Sequence, residues 1–362
     1  MDTSAPISFN QAGVCNYCLS YDNNEALIEK TQCYSSDKLH QKINSIKKQG
    51  KKSAYDCILG VSGGVDSSYL CHLLREWEIR PLLVHFDNGW NSELSIHNIQ
   101  TLVEKTGFDL FTYVTDWEEF RELQKAYFRA SVIDVEVLTD HAFMATLFRK
   151  ANEFNVKTVV IGQNRTTEFA MPDGWNFTKW DLVNIKAICD RFSSVSIQKT
   201  PIYGAFSSYS KDINYFEPLQ YVEYHKERCQ QLLEREYGWR RYEGKHYESI
   251  FTKFYQAYYL PEKFGIDKRK VHLSNLIWSG QITREEALEE IAKSLYTPQE
   301  LEVEKKFVLE KLGFSEREWD AIMHAPPVPH AAYDCSPLAL YMGVNVRISR
   351  QQSSHSVDDK SR

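Results

Sequence analysis

Apolar residues follow two rhythms along this chain. Short, nearly continuous apolar runs occupy residues 55–61, 79–86, 109–114 and 157–162, and each reads as a strand; residues 195–199 supply a fifth candidate. Between them apolar positions recur at helical spacing: after residue 68, then over 94–106, 118–131 and 139–154, the last with Thr139 or Asp140 as N-cap. Strands that alternate with helices predict an α/β fold built on a doubly wound parallel sheet. In such a sheet ligands sit at the carboxyl ends of the strands, at the switch in strand order. Residues 23–49, polar with scattered Leu and Ile, predict a surface helix leading into the sheet.

From Pro201 onward the strand rhythm gives way to helices: 225–236, an aromatic stretch over 251–260, one after Lys268-Arg269-Lys270, then 283–292, 298–312 and 316–323. Thr283 with Glu286 three residues on is a capping box. Four segments are expected: a short cysteine-containing stretch over 1–40, a nucleotide-binding domain over 41–200, a helical closure domain over 201–325, and a disordered Pro-rich and polar tail over 326–362.

Composition narrows the classes of function. A net charge of −6 over 362 residues offers no basic field for nucleic acid. No run is long and apolar enough to span a membrane, and the start lacks a charged, apolar leader, so a cytoplasmic location is expected. The eight cysteines are scattered apart from Cys15-x-x-Cys18 and read as reduced; that pair is half of a zinc site, with Cys33 as a possible third ligand.

The first apolar run ends in Ser62-Gly63-Gly64-Val65-Asp66-Ser67-Ser68. Two glycines allow a sharp turn and close approach of backbone N–H groups to an anion. The following helix adds unpaired amides and the positive end of its dipole. With the hydroxyls of Ser62, Ser67 and Ser68 this is a phosphate cradle. It lacks the lysine of a Walker A loop. The S-G-G-x-D-S string resembles the PP-loop of the ATP pyrophosphatases, which cleave ATP between its α and β phosphates. Asp87, at the end of the second run, is a candidate to read a ribose or base edge, and equally a turn residue in Asp87-Asn88-Gly89. Gly162-Gln163-Asn164 with Glu168 resembles the stretch after the matching strand in ammonia-dependent NAD synthetases, which implies ATP contacts at Gly162 and Asn164. The same resemblance implies Mg²⁺ held by Asp66 and Glu168; otherwise Glu168 is a solvated loop carboxylate.

Further strings resemble the N-acetyl sugar amidotransferases of bacterial surface-polysaccharide (O-antigen) synthesis. They are residues 85–91, 139–142, 162–164, 245–249, 260–269 and 280–287. The resemblance implies conversion of the acetamido group of a nucleotide-linked sugar to an acetamidino group. It implies ATP and Mg²⁺, adenylation of the amide oxygen, and attack by ammonia. The ammonia would come from two partners resembling histidine-synthesis proteins, a glutaminase and a cyclase-like barrel subunit. Asp140 is the candidate to position the amine, or else only a helix cap. That family carries an earlier C-x-x-C ahead of a Met-Asp-Thr-Ser segment. This sequence begins at Met1-Asp2-Thr3-Ser4, so zinc at Cys15 and Cys18 stays open. A tRNA-thiolating enzyme and a non-catalytic nucleotide-binding protein are the other readings, the first disfavoured by the acidic balance.

Overall fold

The computed structural model describes residues 5–203, 213–244 and 247–337. Its centre is one sheet of five parallel strands: β1 (Cys57–Gly60), β2 (Pro81–Asp87), β3 (Asp109–Val114), β4 (Thr158–Val160) and β5 (Asn214–Phe216). The spatial order is β3-β2-β1-β4-β5, so the direction of winding reverses between β1 and β4. The strands at the middle are mostly apolar and almost wholly buried because helices cover both faces. One face packs on helices Ser36–Gly50, Val65–Glu76, Glu93–Thr106 and Lys226–Tyr237. The other packs on Trp117–Arg129 and Val137–Glu153, and beyond them on the helices after residue 250.

The doubly wound sheet and the helical C-terminal part are as the sequence predicts. Four of its details are corrected. The fifth strand is Asn214–Phe216, not 195–199. In that loop the N–H groups of Lys199 and Thr200 donate to the Glu119 carboxylate (2.9 and 2.8 Å) rather than to a neighbouring strand. The sheet therefore extends past residue 200. The expected surface helix over 23–49 is two helices, Asn16–Thr31 and Ser36–Gly50. A helix the sequence reading lacks, Leu182–Phe192, is capped by the Asp181 carboxylate. Residues 326–337 are ordered against the core. His330 is fully buried, stacks on Phe177 at 4.2 Å and bonds Asn184 at 2.9 Å. The rest of the expected tail, 338–362, lies outside the described residues, as do Lys245 and His246 of one family string.

The stretch 250–264 is one helical rod in which Tyr255–Tyr259 forms a π turn between Ile250–Phe254 and Leu260–Phe264. The wider turn rotates the tyrosines inward. Tyr255 donates to the Ile133 carbonyl at 3.0 Å, and Tyr259 meets Phe128 edge-on at 5.0 Å. Trp319 closes this aromatic core. It is fully buried among Phe128, Phe254, Tyr259 and Phe314, with ring centroids 5.3–6.0 Å away.

Candidate active site

β1 runs into the loop Val61–Gly64, and helix Val65–Glu76 starts with Gly64 as its N-cap. Gly63 has φ +80°, and a Cβ there would lie 2.7 Å from the Ser95 carbonyl oxygen. The Gly63 carbonyl accepts from the Trp239 indole N–H (2.8 Å), the Tyr242 hydroxyl (3.1 Å) and Asn98 Nδ2 (3.4 Å). Three donors on one carbonyl fix the peptide orientation. Ser67 Oγ donates to the Gly64 carbonyl and accepts from Ser62 N–H, lacing the turn. A Gly63→Ala substitution pits a positive φ and a backbone clash against this fixed loop. We expect it to lower stability by about 1–3 kcal/mol, read as a shift of the urea midpoint.

The sequence candidates divide cleanly on geometry. Ser62 is exposed and lines a cavity of 750 Å³ at the carboxyl ends of β1, β2 and β4. Asp66 lines an adjoining cavity of 760 Å³. Its Oδ1 accepts from the Tyr224 hydroxyl, and burial, then the Asp66 charge, hold that phenol well above its usual range. Glu168 also acts on Tyr224 electrostatically, less than Asp66 does, and it lines the other cavity. Gly162 sits opposite Asp66, where an added Cβ would come 3.2 Å from the Asp66 Cβ.

Two candidates do something other than the sequence reading assigns them, and a third takes one of the two roles offered for it. Ser68 is fully buried, its hydroxyl facing the core under the loop. Asn164 is buried too. Its side chain caps the turn Arg165–Glu168 by accepting from Thr167 N–H at 2.9 Å and donates to the Gly162 carbonyl at 3.3 Å. Asp87 takes its turn role: Oδ1 accepts from Gly89 N–H and from Asn91 Nδ2, both at 2.9 Å. Asp140 is no helix cap either. The helix begins at Val137, one turn earlier, and Asp140 faces the 750 Å³ cavity from inside it.

That cavity holds a charge cluster the sequence reading did not assemble. Lys179 Nζ bonds Asp134 at 2.6 Å and Asp140 at 3.2 Å. Glu136 accepts from the Thr252 hydroxyl, and Lys268 stands over the Tyr255 ring at 5.1 Å. Burial and then repulsion by Asp140 push the Glu136 carboxyl up to about 7. Asp134 is buried, yet Lys179 and Lys268 hold it down to about 2. Burial raises Asp140 as well. One acid thus stays ionised while its neighbour titrates near neutrality, the separation that assigns acid–base roles. The cue in the sequence was Val132-Ile133-Asp134-Val135-Glu136, two carboxylates inside an apolar run.

Glu248 reaches in from the far side. Its Oε1 lies 2.0 Å from where a Cβ on Gly64 would be, so a carboxylate rests against the glycine turn. At the N-terminal segment Cys15 Sγ accepts from Cys18 N–H as the cap of Asn16–Thr31, and Cys18 Sγ accepts from the Trp278 indole at 3.3 Å. Among the described residues no three His, Cys, Asp or Glu side chains are placed to hold a metal, and no helix is long and apolar enough to cross a membrane.

Residues 248–346 match the family model described as LPS biosynthesis protein WbpG-like, C-terminal domain. The chain carries a WbpG-like C-terminal domain. The kinship with surface-polysaccharide proteins read from the sequence is borne out on this domain. The WbpG-like domain begins at Glu248, the residue that meets the loop. It supplies Ser249, Thr252, Gln256 and Lys268 to the same cavity wall. No curated protein matches the chain. Among solved structures the chain resembles the NMN synthetase from Francisella tularensis at 13% identity and TM-score 0.27, over 35% of this chain and 53% of that one. It also resembles the NH3-dependent NAD synthetase from Campylobacter jejuni subsp. jejuni NCTC 11168, in complex with the nitrate ion, at 13% identity and TM-score 0.32, over 68% and 97%.

Proposed function

We propose that the chain is an ATP-dependent amidotransferase of LPS O-antigen synthesis, acting in the cytoplasm. It would turn an acetamido group of a nucleotide-linked N-acetyl sugar into an acetamidino group and release AMP and pyrophosphate. One observation carries the reading: the glycine loop after β1 and the WbpG-like domain open onto a single cavity, with Ser62 on one wall and Thr252 and Lys268 on the other.

The chemistry starts from a poor electrophile. The amide oxygen attacks the α-phosphorus of ATP, the α–β bridging P–O bond breaks, and pyrophosphate leaves. Ammonia then adds to the imidate carbon, and AMP departs with the former amide oxygen. The loop suits the triphosphate: it lacks side chains at Gly63 and Gly64, where a Cβ would clash, and opens a helix N-terminus. Asp66 and Glu168 are hard oxygen donors of the kind Mg²⁺ takes, with the phosphates and water completing its shell. When bound, that ion would offset the charge growing on pyrophosphate. After ammonia adds, its nitrogen must shed protons, and a Glu136 carboxylate poised near neutrality can take one at a carboxylate oxygen. Asp140 and Lys179 would position the amine and hold the local charge.

Ammonia is mostly ammonium at neutral pH, which motivates a glutaminase partner and a barrel subunit that deliver it directly. The isolated chain should turn over with ammonium, faster as pH rises toward the ammonium pKa, but not with glutamine. Glutamine should become usable once the glutaminase is added. The assay follows AMP and the mass of the sugar nucleotide. ADP and phosphate as products would sink the assignment, and glutamine turnover by the pure chain would sink the partner.

A further inference from the structure

The two cavities share Thr167, Glu248, Gln256, Lys268 and His272 along their seam. At 750 and 760 Å³ each has the volume of a site for one nucleotide-sized ligand. Lys268 sits on that seam, only 8% exposed. The neighbouring cation, Lys179, has two carboxylates within 3.2 Å. Among the described residues no carboxylate lies within ion-pairing distance of Lys268; Asp134, Glu136 and Asp140 act on its ammonium from farther off, and the Tyr255 ring lies beneath it. Arg269, next in sequence, is spent on structure: it forks onto Asp267 at 2.7 Å and donates to the Glu290 and Lys293 carbonyls. A buried ammonium with no anion in direct contact is costly, and burial draws Lys268 below the usual lysine range although Asp134, Glu136 and Asp140 pull the other way. An arriving oxyanion would recover that cost.

We propose that Lys268 is the anion anchor for the second substrate: it binds an oxyanion of the molecule whose amide is activated, while the glycine loop holds ATP. This rests on the proposed reading only in requiring an anionic co-substrate beside ATP. A nucleotide-linked sugar carries two such groups, the diphosphate and, in a uronate, the sugar carboxylate. Lys268 takes one of them.

Three probes separate the sources: UDP, UDP-N-acetylglucosamine, and UDP-N-acetylglucosaminuronate, each titrated calorimetrically into the full chain, with ATP alongside. Lys268→Met should weaken at least one probe by roughly 10–100-fold, the scale of one charged hydrogen bond, and leave ATP affinity unchanged. Loss confined to the uronate assigns the carboxylate. Equal loss for all three assigns the diphosphate. Lys268→Arg keeps a cation and should retain part of the affinity. Unchanged binding of all probes by Lys268→Met overturns the proposal and leaves Lys268 a counter-ion of Asp134, Glu136 and Asp140. An equal loss of ATP affinity overturns it too, by placing Lys268 in the ATP site. Should Lys268→Met fail to fold, Lys268→Gln and Lys268→Arg carry the same comparison. ATP binding by wild type without binding of any sugar nucleotide sinks the anchor but not the loop. ADP formation, read separately, would sink the proposed reaction itself.

Discussion

In the proposed reaction, replacing Asp66 by Ala is expected to cut pyrophosphate release by roughly 100–1,000-fold, the usual cost of removing one electrostatic stabiliser from an active site. The residue stands in the first turn of helix Val65–Glu76, where a carboxylate also complements the helix dipole. That contribution to stability is small, but Ala also leaves the buried Tyr224 hydroxyl without its partner, so the variant should lose about 1–3 kcal/mol as well. The Tyr224 hydroxyl fixes Asp66 Oδ1. Asp66→Asn keeps the shape and the bond from Tyr224 while removing the charge. If charge is what matters, Asn fails nearly as badly as Ala, and Tyr224→Phe loses far less than either. Pyrophosphate release within tenfold of wild type in Asp66→Ala would show that the charge is not used.

Trp319→Ala should cost about 3–5 kcal/mol in urea denaturation, the range for emptying a buried aromatic site. Trp319 is fully buried and touches Phe128 of the sheet-covering helix as closely as it touches Phe254 of the WbpG-like domain. Val303 on the neighbouring helix is 70% exposed, and Val303→Ala should stay within about 0.5 kcal/mol. Because one aromatic core spans both parts, circular dichroism and tryptophan fluorescence should report the same shifted transition. A loss under about 1 kcal/mol, or two separated transitions, would mean that the helical part and the sheet do not share a core.

β1 to β4 were legible because each is a short, mostly apolar run ending near a polar or glycine turn; β1, β2 and β4 are covered on both faces, while the edge strand β3 is largely exposed. β5 hid behind its brevity: Asn214 and Tyr215 are exposed and only Phe216 is buried. Residues 195–199, Val-Ser-Ile-Gln-Lys, alternate as a half-buried strand would, but Glu119 takes the N–H groups of Lys199 and Thr200 and Ser193 takes that of Val195. The glycine loop could be read because its chemistry lies within seven consecutive residues. Glu136, Lys179 and Lys268 come from three distant segments, and no spacing rule joins them. Ser68 shows a different limit. Its residue type suits a phosphate, but its place on the helix turns the hydroxyl inward.

The core shared by Phe120, Phe128 and Trp319 bears on how the chain is made. During synthesis the last strand, ending at Phe216, emerges about 100 residues before Trp319. At about 5–20 residues per second, the outer face of helix Trp117–Arg129 waits on the order of 5–20 s for its cover. Phe128 is an inner residue only at the end of that interval. A nascent chain stalled near residue 220 would present an apolar helix face to the ribosome exit and to any chaperone waiting there. Slow codons or truncation in the stretch that follows should therefore change solubility more than they change the finished fold.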